Sequence, residues 1–136
     1  MKTQALLIGT VIAVAAALPA FAHAASKPRN ITFIASQTSS QQTRTSAVVR
    51  DIDYVGTDAI GHSITSCKAT QNPVRCVSTI SLKAGTVVAR WNVNSNLSSH
   101  GQITGGTGAY ANAKGTIAIK ILNRAATRGQ VTLRFA

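Results

Sequence analysis

The chain has no glutamate, and its whole acidic complement is Asp51, Asp53 and Asp58, against 14 Lys and Arg. So one-sided a balance attracts polyanions and acidic surfaces through its long-range field. It does not by itself make a specific nucleic-acid module. The basic residues stand singly along the chain, and the later aromatics (Phe33, Tyr54, Trp91, Tyr110 and Phe135) are too scattered to form a stacking platform. The plain reading is a solvated cationic exterior; an anionic surface or polymer as partner is the sharper one. Histidine and cysteine are equally scarce. Cys67, Cys76, His62 and His100 lack the ligand spacing of a zinc site, so no metal is expected. No G-x-S-x-G elbow supports a hydrolytic triad. Beyond the N-terminus, no segment offers the roughly 20 apolar residues that cross a bilayer.

What is present begins with a leader. One lysine, Lys2, precedes an apolar run from Ala5 to Leu18, then Pro19 and the small-x-small site Ala22-His23-Ala24. This is the pattern of a secretory signal peptide over residues 1–24, and it predicts a secreted or periplasmic product. Removing 24 residues from 136 leaves 112, enough for one domain over 25–136 with a formal charge of +10. In an oxidising compartment two cysteines pair. Asn72-Pro73 marks a turn between Cys67 and Cys76, so a disulfide across a hairpin is predicted.

No segment after the leader has helical periodicity; short alternating runs recur between turns instead. Strands are expected over 30–36, 45–55, 62–70, 75–82, 85–93, 101–104, 115–122 and 130–135. The Gln/Ser/Thr stretch 37–45 and the segment 94–101 are expected as loops, and 56–61 as a turn. Val87, Ala89, Trp91 and Val93 share one face, as do Ile117, Ile119 and Ile121, and Val131, Leu133 and Phe135. Their opposites are basic or neutral-polar. This pattern suits a sandwich, or a barrel that buries the apolar side and leaves no free edge. The strand over 45–55 breaks it. Val49, Asp51, Asp53 and Val55 alternate with Val48, Arg50, Ile52 and Tyr54. Surface charge is the default, so Ile52 and Tyr54 are expected inward. The opposite orientation would bring two carboxyls inside as a candidate acid and base pair.

The densest glycine stretch is Ile103 to Thr116, ITGGTGAYANAKGT. Gly105, Gly106, Gly108 and Gly115 predict a sharply folded corner between two strands. Gly106 to Ala111 fits the dinucleotide fingerprint G-x-G-x-x-A, but the strand-like run GTIAIKI follows where a helix is required. A Walker loop fails because no glycine precedes Lys114.

The same corner, in Gly105, Gly106, Thr107, Gly108, Tyr110, Ala113 and Gly115, resembles the hallmark of the dirigent and allene oxide cyclase barrel superfamily, particularly its small secreted bacterial members. The resemblance implies an eight-stranded antiparallel β-barrel with a central cavity. Allene oxide cyclases close an epoxide into a ring, and dirigent proteins steer the coupling of phenolic radicals. A small apolar ligand held in the cavity is thus implied, with a cofactor-free cyclisation or coupling as its chemistry. Pocket aspartate, tyrosine and arginine residues assist in dirigent proteins. Residues of those types make Asp51, Asp53 and Tyr54 the catalytic candidates, and Arg90, Trp91 and Tyr110 the ligand-binding ones. Plant relatives are trimers, so a monomer or a homotrimer is expected, the latter using Val48, Ile52, Ala118 and Leu122 as a neutral outer strip.

Overall fold

The computed structural model describes residues 27–94 and 98–136; the leader lies outside them. Eight strands follow one another: β1 (Ile31–Gln42), β2 (Ser46–Val55), β3 (Asp58–Lys68), β4 (Arg75–Leu82), β5 (Gly85–Val93), β6 (Ser98–Gly106), β7 (Gly115–Ile121) and β8 (Arg128–Phe135). Each pairs antiparallel with the next, and β8 returns to β1, closing an antiparallel barrel. Closure follows from the alternation in the sequence: each strand has one face to hide, and a ring leaves no unpaired edge. No helix of the described residues is long and apolar enough to cross a membrane.

Three boundaries differ from expectation. Gln37–Gln42 is strand, because β1 continues along β2 to the Gln42↔Ala47 pair, past the end of β8 at Ser36↔Arg128. Polar residues on both faces suit such an extension, which clears the rim with both sides wet. β3 begins at Asp58, so the turn before it is tight, and β6 begins at Ser98 within the expected loop. Backbone pairing with a neighbour recruits these residues where their own side chains gave no signal.

One end of the barrel is packed solid. Val87, Leu133 and Phe135 are almost fully buried there, and Tyr110 stacks on Phe135 with ring centroids 5.5 Å apart. Tyr110 arrives on a short 3-10 turn, Gly108–Tyr110, in place of a bare corner. Gly108 has φ +60°, and a Cβ there would overlap the Ala84 carbonyl. The close approach lets the Ala109 amide donate to that carbonyl at 2.9 Å, and Thr107 bonds Thr86. The glycine corner is thus the stopper of the barrel.

Cys67 and Cys76 are directly paired across β3 and β4, with Cα atoms 4.1 Å apart, and form the predicted disulfide. The neutral outer strip does not assemble: Val48 and Ile52 lie on β2, three strands around the ring from Ala118 on β7.

Candidate functional site

Away from the stopper, the lumen holds a chamber of about 170 Å³. Its residues come from alternate positions on nearly every strand, as barrel closure requires. Phe33, Ala35, Ile117, Ile119, Ile121 and Val131, from β1, β7 and β8, make one wall mostly apolar, with Gln37 and Arg128 at its polar edge. The facing wall, from β2 to β5, carries Asp51, Ser63, Thr65, Ser78 and Trp91.

The orientation expected for β2 is reversed. Asp53 is fully buried and Asp51 lines the chamber, while Tyr54 shares the outer face with Arg50 and Ile52. Pairing decides this. Asp53 stands between Ala35 of β1 and Gly61 of β3, and Asp51 between Gln37 and Ser63. Those neighbours are small or polar, and directly opposite residues share a face, so this register turns Asp51 and Asp53 to the same side as Phe33 and Ala35.

The two carboxyls are held differently. Ser63 Oγ lies 2.8 and 2.9 Å from the two oxygens of Asp53 and donates to that carboxylate. Asp51 makes no hydrogen bond with another described residue, leaving its carboxyl available to the chamber. Burial pushes Asp51 up to about 6 from an ordinary value of 3.8. Burial likewise raises Asp53 to about 6; the Ser63 bond and His62 oppose this, and the Asp51 charge adds to it. Each acid thus changes charge close to neutral pH.

A second polar chain runs beside this pair. Trp91 Nε1 donates to Ser78 Oγ at 2.9 Å, and Ser78 and Thr65 share a hydroxyl bond of 2.7 Å. That bond anchors the indole, and Trp91 lines the chamber. At the mouth, the loop between β7 and β8 contributes Ala126 and Thr127. Asn123 staples that loop: its Oδ1 accepts from the Thr127 and Arg128 amides, both at 3.0 Å, and its Nδ2 donates to Thr127 Oγ1 at 2.7 Å.

Of the six candidates, the structure brings together Asp51, Asp53 and Trp91. Tyr54 and Arg90 point outward, Arg90 exposed, and Tyr110 belongs to the stopper. Sequence reasoning passed over Ser63, Thr65 and Ser78. A signal existed: the disulfide turns Cys67 and Cys76 to one face, and residues two and four positions away share it. Among the described residues, no group of three His, Cys, Asp or Glu side chains is placed to hold a metal ion.

No family model matches the chain, and no curated protein does. Among solved structures, a pyocyanin demethylase superimposes with a TM-score of 0.67 at 22% identity, over 79% of this chain and 100% of that one. At that identity the likeness concerns the barrel fold.

Proposed function

We propose that the chamber binds one compact, mostly apolar molecule whose single hydrogen-bond donor meets Asp51, and that Asp51 then moves a proton on it. The observation that carries this is a carboxyl with no hydrogen bond to a described residue, facing a mostly apolar wall across the chamber. Desolvating an acid is costly, and an incoming donor offsets that cost. A cavity near 150 Å³ holds one benzene-sized ring, so the chamber's about 170 Å³ favours a single ring over two.

A proton taken from one atom and returned to another isomerises or cyclises a molecule without oxidant or cofactor. A carboxyl with pKa about 6 suits both halves of that transfer. Holding the substrate in one geometry supplies the rest of the advantage. This is the chemistry implied by the resemblance to allene oxide cyclases and dirigent proteins, with cyclisation favoured over coupling on volume. That a solved structure of similar fold is named a pyocyanin demethylase supports a reading in which the barrel acts on a small molecule. The disulfide fits an oxidising compartment, in line with a secreted or periplasmic protein.

Trp91 is the only tryptophan in the sequence and lines the chamber, so its fluorescence reports occupancy directly. Phenol is expected to perturb that emission saturably, and toluene more weakly. Asp51→Leu is expected to weaken phenol binding about tenfold, the worth of one hydrogen bond to a charged group, and to leave toluene unchanged. A Trp91 signal indifferent to both probes would end the proposal.

A second reading rests on charge placement. With Asp51 and Asp53 turned inward, the outer surface carries 13 Lys and Arg from residue 27 onward against Asp58 alone. Such an exterior draws an anionic surface or polymer.

A further inference from the structure

The second reading leaves open where an anionic partner would sit, and the outer wall supplies a place. A groove of about 1280 Å³ runs across β4 to β8, larger than a site for one small molecule. Two register rows build it. One passes Val77, Arg90, Gln102, Thr116 and Arg134 on five successive strands. The other passes Lys68, Arg75, Asn92, His100, Ala118 and Thr132. Short residues on β6 and β7, with Gly101 where a Cβ would overlap the Arg90 carbonyl, make the floor. Long cations stand on both flanks: Lys68, Arg75 and Arg90 on one, Arg134 on the other. No carboxylate lines the groove.

We infer that this groove binds a linear anionic polysaccharide across the strands. The inference rests on the reading of the cationic exterior and narrows it to one face and one polymer class. Arg90 and Arg134 are three strand spacings apart, about 14 Å, so successive acidic groups on an extended chain reach both flanks. Between them, Gln102, Asn92, Thr116 and Thr132 offer amides and hydroxyls that pair with sugar hydroxyls. Neither row carries an outward Phe, Tyr or Trp and His100 is their one flat ring, so the groove lacks the array of stacking surfaces that single-stranded nucleic acid uses.

The test uses full-length protein with polygalacturonate and dextran sulfate, with single-stranded DNA and phosphatidylglycerol vesicles as competitors. Arg75→Gln/Arg90→Gln/Arg134→Gln removes three groove charges; Arg44→Gln/Arg50→Gln/Arg124→Gln removes three outside it. The groove variant is expected to lose about tenfold or more in polysaccharide affinity, with a shallower salt dependence, while the control stays within about twofold. Equal losses in the two variants overturn the groove but keep the broader cationic reading. Tighter binding of DNA or vesicles than of either polysaccharide overturns the polymer class. Absence of binding to every polyanion overturns both readings. Unchanged melting temperatures establish that the exposed substitutions leave the barrel folded.

Discussion

The stopper end and the chamber end are made from the same eight strands, and they differ in what fills the lumen. At the stopper, Val87, Leu133, Phe135 and Tyr110 fill the space. At the chamber, Asp51, Ser63, Thr65 and Ser78 replace that bulk with small or charged groups. The first arrangement stabilises by burial; the second gives up some stability to leave a solvated, titratable space. A barrel therefore separates folding from function along its axis, and substitutions at the two ends should fail in different ways.

The largest contrast should come from deleting bulk. Phe135→Ala at the stopper removes a buried ring and its stacking partner, costing about 3–5 kcal/mol, whereas Ile121→Ala beside the mouth should cost well under half of that. Chemical denaturation of both variants measures the difference, and equal losses would mean the two ends are packed alike. Next is the disulfide. Replacing Cys67 and Cys76 together by serine should cost about 2–3 kcal/mol by freeing the intervening loop in the unfolded chain. Cys67 borders the chamber, so the same variant should also loosen phenol binding while the stopper's Tyr110 environment stays unchanged.

A pH series sharpens the comparison further. Asp51 and Asp53 have folded values of about 6, above the ordinary 3.8, so the folded state holds more protons than the unfolded state between those limits. Stability contributed by these groups is therefore full below about pH 4 and is lost as pH rises through 6. Thermal melting of Asp51→Asn should show a flatter decline from pH 4 to 7 and a higher melting temperature at pH 7. A steeper decline would contradict the chamber geometry. The smallest effect is expected from Ser78→Ala, which removes the acceptor of the Trp91 indole. That should cost about 1 kcal/mol and shift Trp91 emission, with little change at Tyr110.

Much of the barrel was legible because strand alternation is a local property. Ile117, Ile119 and Ile121, or Val131, Leu133 and Phe135, announce an inward face without any knowledge of neighbours. The disulfide was legible for the same reason, from two cysteines about a turn. The polar arm at 37–42 was not, because its strand character comes from pairing with β2. The site was half legible. Asp51, Asp53 and Trp91 stood out by type, but Tyr54, Arg90 and Tyr110 were grouped with them on chemistry alone, and the fold distributes them to the outer wall and the stopper.

By itself the sequence determined that short alternating strands must bury one apolar face, in a sandwich or a barrel, that Cys67 and Cys76 would meet, and that the charge outside would be positive. It did not determine which way β2 faces. Either face of that strand is mixed, with valine and aspartate on one side and isoleucine, tyrosine and arginine on the other. Local preference leaves the choice nearly balanced. The hydrogen-bond register with β1 and β3 breaks the balance, because a one-residue slip would turn the whole strand over. That long-range pairing, absent from any local stretch of sequence, is what carries the aspartates into the lumen and clears the outer surface for its cations.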